Sequence, residues 1–359
     1  MGDNYNMLFS FQENTEMEFN FIKDVEKIYL RMGDEYSREI YRNRVLAAIT
    51  MDEIYIRNII LMTKEGKELI KQLQKYPKVY IYGAGIRGGR LVRHFPEINW
   101  AGYIDRSNKR DRLNGLEVIN ADDYKFQKED FIFVSAFWEW KEIENSLIGK
   151  GGVPRERIIS QASIDMKMYQ NQYFDTEIMG QFQSGKLFID CGSFDGSDSI
   201  KFAQHSVDGK ASKMYVFEPD PGNFKVCKKN LQEYQYPNVK FFNMAVGNEN
   251  AESKIFKDEQ NISHVNEVTG ESVKTIKLDD IVKEKTGYIK MDLEGDEENA
   301  LHGAENIIRT QSPMLAVSIY HKRWDIFRIP FLLLQMNPDY TFFLRHYTTS
   351  VADTVLYAK

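Results

Sequence analysis

The sequence predicts an α/β protein: a helical N-terminal region, then two doubly wound, Rossmann-like units. Three observations carry this. Residues 16–75 contain no Pro and only two Gly, and their apolar residues recur at helical spacing. From residue 78 the pattern switches to short apolar strands alternating with helical stretches, which calls for a parallel sheet with crossover helices. The same alternation begins afresh at residue 186.

Taken in order, residues 1–76 form the helical region. Ile22, Val25, Ile28, Tyr29 and Met32 make one apolar face, and Val45, Leu46, Ile49, Ile56, Ile59 and Ile60 continue the pattern through three or four helices. Pro77 ends the region. Residues 77–160 form a small Rossmann-like unit with strands at 78–82, 100–104, 131–135 and 157–159. Residues 161–182 are polar and read as a connecting helix or linker. Residues 183–359 hold five further strands, at 186–190, 214–218, 240–243, 288–292 and 314–319. Two more, at 340–345 and 354–357, form a hairpin. Five parallel strands closed by such a hairpin describe the methyltransferase-type variant of the doubly wound fold.

Composition narrows the function. The chain has 359 residues, with 47 Lys and Arg against 53 Asp and Glu and a net charge of −6, so nucleic acid is not the expected partner. Two cysteines, Cys191 and Cys227, exclude a disulfide scaffold and a four-cysteine zinc site, and fit a reducing cytoplasm. No run approaches the roughly 18 apolar residues of a membrane span. Asp3, Glu13, Glu16 and Glu18 argue against a secretory signal, so the expected location is cytoplasmic. Homo-oligomerisation stays open.

The chemistry-bearing motifs lie at strand ends. In 187–197 an apolar strand runs into a loop with Asp190, Gly192, Ser193, Asp195 and Gly196, and the loop opens a helix. Gly192 and Gly196 would let backbone N–H groups approach a small anion such as a carboxylate. Asp190 and Asp195 would face cationic groups. S-adenosylmethionine combines a carboxylate with an ammonium and a sulfonium. Glu218, followed by the turn-fixing Pro219, ends the next strand where such folds hold a ribose hydroxyl pair. Asp292 and Glu294, spaced i and i+2, would lie on one side of an extended strand. They lack an evident third ligand, so no metal is expected. His321 falls at the mouth of the same crevice and, with an ordinary pKa of about 6.5, suits a general base.

Four pieces occur in one order: 190–197, 217–220, the Ala245-Val246-Gly247 run and 289–295. Together they resemble the FkbM family of S-adenosylmethionine-dependent methyltransferases over residues 183–358. The resemblance implies the class I methyltransferase fold, with the glycine loop, Glu218 and the Val246 segment around the donor. It also implies O-methylation of a hydroxyl, often on a sugar or secondary metabolite. The acceptor would be a small molecule or a glycan precursor.

Gly83, Gly85 and Gly88 follow a strand and open a helix, and Asp105 lies 22 residues beyond Gly83, which matches the spacing of a dinucleotide loop. This leaves an alternative: a protein that binds NAD or a nucleotide-sugar through this loop, without methyl transfer. A packing role for the small unit is the third possibility.

Overall fold

The computed structural model describes residues 20–107, 110–180, 182, 185–257, 263–266 and 270–359. The acidic stretch behind the expected cytoplasmic location lies outside them, as do the first residues of the helical region. No helix among the described residues is long and apolar enough to cross a membrane.

Four helices, Phe21–Leu30, Glu35–Thr50, Ile54–Met62 and Lys64–Leu73, open the described chain. Asn20, Asp34 and Thr63 cap three of them by accepting backbone N–H bonds. Their apolar faces bury Ile28, Ile40, Tyr41, Ile59, Ile60 and Leu73. The region also pairs with both units that follow. Glu53 bonds His94 at 2.9 Å, and Arg57 bonds Glu97 at 2.7 Å. On the other side Gly33 N–H donates to the Phe342 carbonyl, Phe342 N–H to Arg31, and Leu344 N–H to the Ser37 hydroxyl.

The first sheet contains β1 (Lys78–Tyr82), β2 (Trp100–Asp105), β3 (Arg112–Leu113), β4 (Leu116–Asn120), β5 (Asp130–Val134) and β6 (Ile158–Ser160). Their order is β3-β4-β2-β1-β5-β6, parallel except for β3. The β3–β4 ribbon was not anticipated.

The second sheet contains β7 (Leu187–Cys191), β8 (Lys213–Phe217) and β9 (Val239–Phe242). A separate small sheet follows: β10 (Met244–Val246), β11 (Ala251–Lys257), β12 (Ser263–Asn266) and β13 (Glu271–Ile276). The second sheet then resumes with β14 (Thr286–Met291), β15 (Met314–Ser318), β16 (Phe342–His346) and β17 (Thr354–Ala358). Its order is β16-β17-β15-β14-β7-β8-β9, with β17 alone antiparallel to its neighbours. The strand order reverses at β7 and β14, which opens a crevice beyond their carboxyl ends.

Of residues 161–182, expected to be a connecting helix or linker, the described ones form helices Gln161–Met168 and Thr176–Met179, and Tyr173, Phe174, Ile178 and Met179 are buried in the core of the second sheet.

Candidate functional site

A cavity of about 940 Å³ lies at this crevice. Gly192, Ser193, Phe194, Glu218, Pro219, Val246, Lys290, Asp292 and Glu294 line it from the second sheet. Tyr169, Gln172 and Tyr173 close it from the segment before β7, and Arg87, Phe137 and Trp138 reach it from the first unit.

Gly192 has φ 78°, and a Cβ there would sit 1.9 Å from the Asp292 carbonyl oxygen. Only glycine lets the loop pass so close to the end of β14. Its amides do not stand free as expected. Gly192 and Ser193 N–H donate to the Phe217 carbonyl, and Phe194 N–H donates to Glu218 at 2.8 Å. Gly196 opens the next helix at φ 79° but packs against Cys227, outside the cavity lining.

Glu218 is buried, and each of its oxygens accepts one backbone N–H, from Phe194 and from Asp220 at 2.9 Å. Each keeps a lone pair for a further donor. Burial pushes its carboxyl up to about 7, against the pull of those two N–H groups.

Two expectations fail here. Asp190 is fully buried beneath the loop, bonded by the Ser199 hydroxyl at 2.7 Å and paired with Lys290 at 3.2 Å, so it cannot meet a ligand. Asp195 is absent from the cavity lining, and its side chain accepts the Ser197 N–H instead. Asp198 and Asp292 are among the acids that line the cavity in their place. Lys290 was missed, although a lysine inside an apolar strand was a visible signal. Burial works against its charge, but Asp190, Asp198 and Asp292 outweigh that and hold it as an ammonium. It also donates to the Gly192 carbonyl at 2.6 Å, pinning the loop to β14.

The strand ends at Met291, so Asp292 and Glu294 do not alternate along it as expected. Glu294 turns at φ 53° instead. Asp292 accepts the Tyr173 hydroxyl at 2.9 Å, and that hydroxyl also meets Ser318 at 3.0 Å. His321 stands behind both acids. Its Nε2 lies 3.5 Å from Asp292 and 3.3 Å from Glu294, and its Nδ1 lies 2.9 Å from Glu297. Burial opposes charge on this ring, but its bonds to Glu294 and Glu297 and the nearby Asp292 outweigh burial and raise its pKa well above the usual value. An imidazole that already holds its proton is no general base at neutral pH, which corrects that expectation. Of the three acids around this ring, Glu297 is the one that sequence spacing did not reveal.

Asp353 faces the cavity from the loop between β16 and β17. It sits at φ 61° and accepts Tyr169 at 2.9 Å and Gln172 at 3.2 Å. Burial and the Asp292 charge push its carboxyl up to about 6. Nothing in the sequence separated it from other loop acids. His346, close by, is locked between Thr354 and Ser350, and burial pushes it down to about 3.

In the first unit Asp105 accepts the Ala84 N–H at 2.7 Å and both the N–H and hydroxyl of Ser107. Gly88 packs on the Gly83 carbonyl, where a Cβ would approach to 2.1 Å. Of the predicted loop residues Gly83, Gly85, Gly88 and Asp105, none lines the cavity; Arg87 does.

Strand order, glycine turn and strand-end acid define a Rossmann-like class I S-adenosylmethionine-dependent methyltransferase fold. Residues 190–347 match the Methyltransferase FkbM domain, a domain of S-adenosylmethionine-dependent methyltransferases. The whole fold is similar to the crystal structure of Methyltransferase FkbM from Methylobacillus flagellatus KT, with TM-score 0.50 and 18% identity over 89% of this chain and 99% of that one. An rRNA methylase from Streptococcus thermophilus matches with TM-score 0.33 and 16% identity, over 54% of this chain and 92% of that one. A methyltransferase from Geobacter sulfurreducens matches with TM-score 0.33 and 15% identity, over 61% and 86%. A search of curated proteins returned no match.

Proposed function

We propose that this chain methylates a hydroxyl oxygen of a sugar or glycan precursor. S-adenosylmethionine, when bound, supplies an electrophilic methyl group on sulfur. The residues fit it. Glu218 offers two open lone pairs to the ribose hydroxyls, and Pro219, Val246 and the 55% exposed Phe194 offer apolar surface to the adenine. Asp198 and Asp292 provide negative charge for the ammonium.

The observation that carries the acceptor reading is the opposite wall. Trp138 is 75% exposed, and the Arg87 guanidinium lies 4.9 Å from the centre of the Phe137 ring. A flat aromatic surface beside carboxylates suits a sugar ring, which presents C–H faces and hydroxyl donors. The protein's work is to hold the acceptor oxygen in line with the methyl group. We assign acceptance of the hydroxyl proton to Asp353, which lines the cavity and, near 6, is ionised at neutral pH. The nucleotide-binding alternative draws no support from Asp105, whose carboxylate is engaged with its own loop.

The test is calorimetry with S-adenosylmethionine, then methyl transfer to a panel of nucleotide-linked sugars. Asp353→Asn is expected to keep donor affinity and lower turnover by about 10²–10⁴-fold. Donor binding with transfer only to amine or carbon acceptors would defeat the hydroxyl assignment.

A further inference from the structure

We infer that Arg87 binds an oxyanion carried by the acceptor, a phosphoryl or carboxylate group, so that the substrate is an acidic sugar and not a neutral one. The role in turnover rests on the proposed methyl transfer; the binding of the anion does not.

Topology is the first reason. In the first sheet the order β3-β4-β2-β1-β5-β6 reverses at β1 and β5, which run parallel side by side. Ligands of such sheets bind beyond the carboxyl ends of the strands at this reversal. Arg87 follows β1, Phe137 and Trp138 follow β5, and all three line the cavity. The same cavity lies at the β7 and β14 reversal of the second sheet, where the donor residues stand. The first reversal is left for the acceptor.

Charge is the second reason. Asp198, Glu218, Asp292, Glu294, Asp296 and Asp353 line the cavity, against two cations, Arg87 and Lys290. Lys290 is already engaged by Asp190 at 3.2 Å, Asp198 at 3.6 Å and the Gly192 carbonyl at 2.6 Å. Arg87 pairs with no carboxylate among the described residues. The buried Asp165 feels its charge, but that carboxylate is bonded to the Thr349 N–H and hydroxyl instead. An oxyanion therefore finds one open cation in an otherwise acidic cavity.

Shape is the third reason. The Arg87 guanidinium lies over the Phe137 ring, 4.9 Å from its centre. Stacking covers one face of a guanidinium and leaves the N–H edge free, in the fork that fits phosphate and carboxylate. The Phe137 and Trp138 rings meet edge to face, 5.0 Å apart at 88°. A sugar packed on the exposed Trp138 ring would bring an acidic substituent to that edge. Tyr169, which bonds Asp353 at 2.9 Å, lies within range of the Arg87 charge. The anion and the reacting hydroxyl can thus belong to one sugar.

The experiment uses the full chain saturated with S-adenosylhomocysteine, titrated by calorimetry with glucose 1-phosphate, glucuronate, UDP-glucose and the neutral methyl glucoside. At least one anionic probe is expected to bind about tenfold or more tighter than the neutral one, and to weaken as salt is raised. Arg87→Gln changes an exposed side chain, so it should fold; it should remove that advantage, a loss of about tenfold or more, with S-adenosylhomocysteine affinity unchanged. Arg87→Lys keeps the charge without the fork and should fall between. The tighter of glucose 1-phosphate and glucuronate tells phosphoryl from carboxylate. No binding by any anionic probe, equal binding of anionic and neutral probes, or an anionic advantage unchanged in Arg87→Gln overturns the inference. Methyl transfer is measured separately. Transfer to neutral sugars without preference for acidic ones would sink this inference and leave the methyl-transfer reading standing. Arg87-dependent anion binding without transfer would do the reverse.

Discussion

The two α/β units build the same device and put it to different ends. In each, a first strand runs into a glycine turn and a helix, and an acid at the end of the second strand accepts backbone N–H groups from that turn. Asp105 does this for Ala84, and Glu218 for Phe194. The surroundings then separate them. At Asp105 burial is outweighed by bonds from Ala84 and Ser107, and the pKa falls. At Glu218 burial wins and the pKa rises. An acid supplied with three donors by its own turn is a brace; one supplied with only two beside a cavity has room for hydroxyls. The motif therefore does not decide function, and the number of donors left unsupplied does.

The sharpest way to break this comparison is to add one carbon to each loop. Gly192→Ala would press a Cβ against the Asp292 carbonyl at positive φ, costing about 3 kcal/mol or more, and donor binding should be lost. Gly85 has an ordinary φ and open space, so Gly85→Ala should change stability by about 0.5 kcal/mol or less and leave donor affinity alone. Thermal melts and calorimetry on both variants decide it; equal losses would erase the distinction.

Next in size is removal of the acids. Glu218→Ala should weaken donor binding at least about tenfold, since charged hydrogen bonds contribute about 1.5–3 kcal/mol each. Asp105→Ala should lower the melting temperature with unchanged donor affinity. A loss of donor affinity in the Asp105 variant alone would place the nucleotide site in the wrong unit.

Trp138→Ala tests the contribution of the first unit as a wall. Its expected signature is a several-fold rise in acceptor KM, with donor affinity unchanged, read from initial rates. An effect on donor affinity alone would move this residue to the other side of the cavity.

The smallest effect is a pH dependence. Ribose hydroxyls donate to the ionised form of Glu218, which in the free protein titrates near 7. Donor affinity should therefore rise with pH through that range and level off above it, with proton uptake by buffer on binding. Calorimetry in buffers of different ionisation heats measures the released proton. Affinity that falls with rising pH would reverse the assigned protonation.

Apart from the β3–β4 ribbon, the strands of the two larger sheets were legible because buried strands read as continuous apolar runs. Two further regions were not. Tyr173, Phe174, Ile178 and Met179 sit among polar residues without helical or strand period, and only tertiary packing buries them. The small sheet carried a signal that was overlooked: Val273 and Thr275 are buried while Ser272 and Lys274 are exposed, an alternation over 272–275. At the site, Gly192, Glu218 and Asp292 could be placed because each ends a strand. The neutralisation of Asp190 and the acids around His321 could not, because Lys290 and Glu297 meet them through folds of the chain that no spacing encodes.

The bonds that join Arg31, Gly33 and Ser37 to Phe342 and Leu344 have a consequence for the protein in quantity. β16 is the outermost strand of its sheet, and a bare outer strand is a template on which another chain can add. The N-terminal helices cover that ladder in the folded state. If heating frees them before the sheet melts, the uncovered strand can pair between molecules, so loss of the helices and the onset of precipitation should coincide.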